Sequence, residues 1–325
     1  LSDPILPVTD AIVFPWFYAY INTTKNIPYI SLSYLLGIKT MNSPVNPLSS
    51  FMRQPKIYIR LPSGGEYWPK GSIEIPETGE LPVYSMTAKD ELMLKVPDAL
   101  MNGQAIVDVI QHCIPAIKNA WVAPTIDLDV LLIAIRLATY GEMMTTPVKF
   151  GDDLELEYQM DLRILMDQLM SQISWNPVVP VNDELTVFVR PLTYKQLSSA
   201  ALKTFETQKI MQVVNDEKIS EDDKIKLFKE SFKKLSDATL GTISDSISKI
   251  ESINGSTDNP EFIKEFIDNA DKEVFNIIQQ HLENLKNSNS VKPMIVSVTD
   301  EMREKGVTGD TVEVPITFDP STFFV

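Results

Sequence analysis

Residues 81–141 read LPVYSMTAKDELMLKVPDALMNGQAIVDVIQHCIPAIKNAWVAPTIDLDVLLIAIRLATYG. It carries the densest apolar patterning in the 325-residue chain, and its helix boundaries are marked. It holds almost none of the side chains that enzymes use. Thr87 followed by Asp90 and Glu91 predicts a helix start, because a hydroxyl accepts from free backbone N–H groups and acids meet the positive helix end. Pro97 lacks a donor and disfavours helical geometry in the residue before it, so this helix ends near Val96. A second helix begins near Asn102 and places Ile106, Val107, Ile110 and Cys113 on one broad face until Pro115 interrupts it. The third opens near Asp127 and runs to Gly141, a residue type that readily adopts the left-handed conformation closing a helix. Only Asp129, Arg136 and Thr139 break its apolar surface, which places it at the centre of a core. At about fourteen residues it is too short for a bilayer, which takes about twenty.

On the N-terminal side, Ile57, Ile59 and Leu61 alternate with Lys56, Tyr58 and Arg60, the period of a half-buried strand. Ser63, Gly64 and Gly65 supply a turn. They do not make a phosphate loop, because neither a Lys-Ser/Thr pair nor a helix start follows. Past Gly141, Val148–Phe150 and Leu154–Met160 predict a hairpin turning at Gly151-Asp152-Asp153, followed by a helix near 161–172 carrying Leu162, Leu165, Met166 and Leu169. PVVPVNDELTVFVRPLT returns to strand, with Val187 and Val189 opposite Phe188 and Arg190.

Beyond Thr193 the character changes. Three capping patterns, Thr193/Gln196, Ser220/Asp223 and Asp258/Glu261, predict helices over about 194–214, 221–253 and 260–286, the last with Pro260 in its first turn. In the middle helix Ile225, Phe228, Phe232, Leu235, Leu240, Ile243, Ile247 and Ile250 make a narrow stripe on a polar background. That pattern suits a helical hairpin or partner-binding arm, either as a simple amphipathic helix or as a coiled-coil strand. The chain then runs through strand-like PMIVSV and VEVPITF to DPSTFFV, an aromatic tail that packs into its own domain or into a neighbour.

The formal charge is −15, and residues 41–200 and 201–325 are both acidic while 1–40 are neutral. Such a field repels phosphate backbones and anionic lipid headgroups, and no basic patch is evident to override it, so neither nucleic acid nor a membrane is an expected partner. With Cys113 the only cysteine, no intrachain disulfide forms and a reducing compartment suits the chain. Residues 1–40 are apolar and aromatic, broken by Pro15 and Pro28, and contain no methionine before Met41. They lack the basic start and compact apolar run of a secretory signal. Two readings stay open: translation starts at Met41 and the preceding stretch is upstream reading frame, or it is a hydrophobic arm that docks on a partner.

The inventory of chemistry is thin. His112 and Cys113 are neighbours on a helix and therefore point about 100° apart, which prevents the direct bond of a Cys–His dyad. His281 is the only other histidine, and no metal-ligand spacing surrounds it. Asp127 and Asp129 form an Asp-x-Asp pair able to hold magnesium, although their place at a helix start accounts for them as capping residues. Asp152 and Asp153 read as turn residues, and Asp268 and Asp271 as a solvated face. Neither a nucleophile elbow nor a dinucleotide fingerprint is present. We therefore expect no catalytic, cofactor-binding or metal-binding residues, no cofactor and no small-molecule substrate. The competing enzyme reading is a metal-dependent hydrolase using Asp127 and Asp129.

Four ordered blocks add a resemblance. NPLSSFMRQPKIYIRLPSGGEYWP (46–69), ELPVYSMTAKDELMLKVPDALMNGQAIVDVIQHCIP (80–115), DLDVLLIAIRLATYGE (127–142) and VPITFDPSTFF (314–324) resemble the baseplate hub protein family of T-even-type contractile-tailed bacteriophages, in its marine-phage versions. The likeness covers 41–192 and, more loosely, the last thirty residues, while the helical insert between carries no specific motif. It implies a non-enzymatic role as a structural component or assembly factor of the central hub, with hub or tape-measure proteins as partners, in the host cytoplasm during assembly and in the virion tail. A variant within this class is a tape-measure or tail-assembly chaperone absent from the mature particle. Relatives carry paired cysteines in the hairpin after the Tyr-Gly-Glu block and near the C-terminus. Here 150–157 and 297–312 contain none, so a metal knuckle is not expected. The fold expected is α+β: a small, mainly antiparallel sheet packed with central helices over 41–192, a hairpin-like helical extension over 193–288, and strands and an aromatic tail over 289–325 returning to the core.

Overall fold

A computed structural model describes residues 47–48, 51–96, 103–150, 154–172, 174–214, 220–314 and 323–324. Contacts divide the chain into two units at Met52/Arg53. In the first, Phe51 N–H donates to Leu48 O at 2.9 Å; residues 1–40, with the Met41 question, lie outside the described residues. The second unit runs from Arg53 onward.

The fold is α+β. Its strands form antiparallel sheets of two to four strands, and nine α-helices accompany them among the described residues. Strand β1 (Pro55–Ile59) pairs with β2 (Leu81–Tyr84), and the alternation expected over 56–61 is observed, with Ile59 and Leu61 buried and Lys56, Tyr58 and Arg60 exposed. Helix α1 (Ala88–Leu94) starts on a capping box in which Thr87 and Asp90 satisfy each other's backbone N–H. Helix α2 (Gln104–Cys113) buries Ile106, Val107, Ile110 and Cys113, and its N-cap is Gly103 at φ 80°. Gly103 faces Tyr194 and Ser198 so closely that a Cβ there would lie 2.9 Å from Ser198 Oγ. A 3-10 turn (Ala120–Val122) leads into α3 (Thr125–Tyr140), which is buried on nearly every side. Gly141 closes α3 at φ 90° and ψ −166°, a positive-φ exit but not the left-handed helical cap expected.

The hairpin of β3 (Met143–Phe150) and β4 (Leu154–Asp161) is in register from Met143↔Asp161 to Phe150↔Leu154, and residues 151–153 at its turn lie outside the described residues. Helix α4 (Leu162–Gln172) then returns Leu162, Leu165 and Leu169 to the first core, which surrounds α3.

A second core follows. Strands β5 (Val178–Asn182), β6 (Leu185–Val189), β7 (Ile247–Ser252) and β8 (Gly255–Thr257) form a sheet in that order. Helices α7 (Pro260–Asn269) and α8 (Lys272–Asn289) cover it, gathering Val179, Val187, Val189, Ile250, Ile263, Ile267, Ile278 and Leu285. Between β6 and β7 the chain runs out along α5 (Tyr194–Val214) and back along α6 (Glu221–Asp245), an arm of two packed helices. The Thr193/Gln196 and Ser220/Asp223 caps are as expected.

Three expectations in this region fail. The helix expected over 221–253 stops at Asp245, because Ile247 and Ile250 belong to β7, where pairing with β6 satisfies the backbone. Their spacing from Ile243 fits a helix face as well, and the strand partner decides. The helix expected over 260–286 is two helices, broken at Ala270, with Asp271 capping the second through Glu273 N and Val274 N. The cap of α7 is Asn259 and not Asp258, although Pro260 occupies the first turn as expected. The stretch 193–288 is thus an arm plus half of a second core.

Strands β9 (Met294–Ser297) and β10 (Thr311–Val314), with the short α9 (Asp300–Glu304) between them, pair with each other and pack on Tyr158 of β4. The aromatic tail docks within its own chain. Phe323 and Phe324 are 1% and 3% exposed in the first core, Arg136 Nη1 donates to Phe323 O, and Tyr140 Oη donates to Phe324 O at 3.0 Å. Replacing Phe323 by Ala removes a ring from a packed core and should cost about 3–5 kcal/mol. Thermal melts would show it, and a change near zero would place the ring outside the core.

Candidate interaction surface

Asp127 and Asp129 both lie inside the regular helix α3, not at a cap, since its N-cap is Pro124. Two residues apart on a helix, their side chains point about 160° apart and do not converge on one ion. Asp127 is fully buried and accepts from Ser63 N at 2.8 Å, Ser63 Oγ at 2.5 Å and Trp68 Nε1 at 2.7 Å. It ties the Gly64-Gly65 turn to the central helix. Burial pushes its carboxyl above the ordinary value, opposed by the bonds from Ser63 and Trp68. Nothing local in the sequence links positions 63, 68 and 127, and that pairing escapes a reading based on spacing.

Asp129 is different. It is only partly exposed, burial raises it to about 6, and among the described residues no hydrogen bond or ion pair reaches it. Across the described residues no group of three or more His, Cys, Asp or Glu side chains gathers in a metal-binding arrangement.

A second cluster joins α1 to α2. Asp90, 1% exposed, accepts from Thr87 N at 2.7 Å and from Thr87 Oγ1 at 2.8 Å, and its Oδ1 lies 2.8 Å from His112 Nδ1. Arg53 lies 3.8 Å from the same carboxylate and donates to Ser85 O and His112 O, both at 2.6 Å. Burial raises the Asp90 carboxyl, but the bonds from Thr87 and His112 outweigh it and hold the group below its usual range. An Asp–His pair invites a nucleophile, and the neighbouring candidate is Cys113. Burial and the Asp90 charge push that thiol up to about 12, only partly offset by Arg53, so at neutral pH it is not the thiolate that attacks. The cluster locks two helices and the start of β1 together. From sequence, Asp90 reads as a helix-start acid and His112 as the neighbour of Cys113; only the packing of α1 on α2 brings them together.

With these groups committed to the interior, two features of the arm lie on the outside. A groove between α5 and α6, about 340 Å³ in its larger part, is lined by Lys203, Glu206, Lys234 and Asp237, charges of both signs with no convergent acid–base pair. Apolar side chains stand out on the arm, where Ile225, Phe228 and Phe232 are 53%, 50% and 61% exposed. Among the described residues no helix is long and apolar enough to cross a membrane.

An acidic α+β chain whose buried Asp127 and Asp90 act as ties, and whose arm exposes Ile225, Phe228 and Phe232, fits the structural, partner-binding class. A family model described as T4 bacteriophage base plate protein matches residues 55–296. That span is about three quarters of the chain, and it runs from β1 into β9, taking in the arm, the second core and all of the first core but Phe323 and Phe324. The chain belongs to this family and is a structural protein of the phage baseplate, a component of the virion tail. No curated protein and no solved structure gives a significant match. The match extends the resemblance seen in the sequence blocks, because it includes the helical insert.

Asp129 gives a pH signature. Its folded carboxyl, near 6, lies above the ordinary 3.8, so folding favours the protonated form. The stability contribution is full below about pH 4 and is lost as pH rises through about 6. The full shift corresponds to about 3 kcal/mol, and solvent at the partly exposed edge brings it to about 1–3 kcal/mol. Asp129→Asn should therefore melt above the wild type at pH 8, with the difference closing toward pH 4. An equal difference at both pH values would refute this.

Proposed function

We propose that the chain is a non-enzymatic component or assembly factor of the central hub of the baseplate, acting through protein–protein contacts. Membership of the baseplate family over 55–296 is the observation that carries the reading. The order of blocks over 46–142 and 314–324, which resembles the hub version of that family, supports the finer placement. The interior helps too, since Asp127 and Asp90 are occupied as structural ties and Cys113 is held as an inert thiol. Its partners are other hub or tape-measure proteins, met in the host cytoplasm during assembly and, for a structural component, in the virion tail. A net charge of −15 argues against nucleic acid and anionic membrane as partners.

Quantitative mass spectrometry of infected cells, comparing assembly intermediates with finished particles, tests this. Stoichiometric amounts in both identify a hub component. Presence in intermediates alone makes the chain an assembly factor of the tape-measure or hub pathway, and absence from both defeats the reading.

A further inference from the structure

Arg136 of α3 is 7% exposed, and its guanidinium is only partly used. Nη1 donates to Phe323 O, and the group lies over two rings, 5.2 Å from the centroid of Tyr140 and 5.3 Å from that of Phe323. Nε is buried and has no acceptor. Nη2 makes no hydrogen bond among the described residues either, but it keeps contact with solvent. Nε and Nη2 form one edge of the guanidinium plane, the edge that presents two parallel N–H groups to a carboxylate. The side of the fork that serves the tail is occupied, and this one is free.

The charge is unanswered as well. Among the described residues no carboxylate pairs with Arg136, and burial pulls its pKa down, opposed by Tyr140. Glu91 of α1 lies against the Tyr140 hydroxyl, whose pKa burial and Glu91 raise, and it makes no ion pair with Arg136. A buried guanidinium without a counter-ion is costly, and a buried donor without an acceptor is rare in native proteins.

The surroundings favour a tethered acid over a free one. Tyr140 is 43% exposed, and Met143, which opens β3 just past Gly141, is 53% exposed, so apolar surface adjoins this end of α3. A net charge of −15 holds off a free anion, whereas a carboxylate carried on a docked chain is delivered by the contacts of its neighbours.

We propose that the Nε/Nη2 edge of Arg136 is a carboxylate-binding site, filled by an Asp or Glu side chain of a neighbouring tail protein that seats against Tyr140. Arg136 then ties two chains, its own tail through Nη1 and the neighbour through the other edge. The identity of the occupant rests on the reading of the chain as a baseplate subunit, and the carboxylate site does not.

The first measurement uses the full chain, isotope-labelled at arginine nitrogen, with sodium propionate as probe, since propionate carries the end of a glutamate side chain. The Arg136 Nε–H resonance, assigned through the backbone, should shift in a saturable way with Kd of about 1–30 mM, while exposed Arg60 and Arg190 should not saturate. Propionamide, neutral and of the same shape, should leave it unmoved. No saturable shift at about 0.3 M propionate, or an equal shift with propionamide, overturns the site. The occupant is tested by complementing infected cells with Arg136→Gln, which keeps a donor for Phe323 O and loses the charge. Its recovery with assembly intermediates and particles should fall at least about tenfold. Tyr140→Phe, which loosens the tail and leaves the guanidinium, should be recovered near the wild-type level. Wild-type recovery of Arg136→Gln, or equal losses in the two variants, overturns the partner. The titration is read on the wild-type chain and needs no baseplate, so its failure removes the carboxylate site and leaves the family reading standing.

Discussion

Helix α3 is apolar around nearly its whole circumference, so it has a stable place only if every side of it is covered. That requirement organises the first core. Strands β1 and β2, helices α2 and α4, the start of α5 and the terminal Phe323–Phe324 pair all pack on one sixteen-residue cylinder. Apart from Asp129, most of its polar residues serve as ties between that cylinder and segments remote in sequence. Asp127 fixes the turn after β1, and Thr139 Oγ1 accepts from Met86 N at 2.9 Å while donating to Ile135 O at 2.7 Å. Arg136 and Tyr140 hold the carbonyls of the tail. Backbone bonds at its entrance, Thr125 N to Leu192 O and Tyr194 N to Ala123 O, anchor the root of the arm at 2.8 Å each.

The division of labour between the two cores follows from this. The first is helix-centred and ties Asp127, Arg136 and Thr139 to remote parts of its own chain. The second is a sheet with two covering helices, and it carries the arm as an insertion between β6 and β7. Because β6 and β7 are neighbours in the sheet, the arm leaves and returns at one place, and its helices depend on each other along most of their length. A structural protein of a large assembly gains reach by such an insertion without disturbing the sheet that bears it, since pairing at the root is independent of what the tip touches.

What was legible in the sequence is what depends on local pattern. The Thr87/Asp90 box, the alternation over 56–61, the buried faces of α2 and α4 and the all-round burial of α3 are consequences of residue order within a turn or two, and they appear as expected. Where two local patterns overlap, tertiary partners decide. Ile243, Ile247 and Ile250 fit a helix face, but β6 offers an unpaired edge and the chain turns into strand after Ser246. The side-chain ties were invisible for a related reason. Asp127 with Trp68, Asp90 with His112 and Arg136 with Phe323 O join positions 59, 22 and 187 residues apart, distances over which a single sequence carries no periodicity. The face of α6 was legible as a stripe, whereas its division into a covered and an uncovered part depends on where α7 lies.

The tail contact also orders events in time. A ribosome delivers α3 early, yet the ring that completes its cover and the carbonyl that meets Arg136 lie 187 residues further on, beyond the arm and the whole second core. Closing so long a loop costs only slightly more conformational entropy than closing a shorter one, because the cost grows with the logarithm of length. The delay is kinetic. During synthesis the second core has every strand and covering helix it needs before the first core has its last two side chains, so the domain begun first is finished last. Throughout that interval one side of the all-round apolar helix α3 stands open to whatever else the cell places against it.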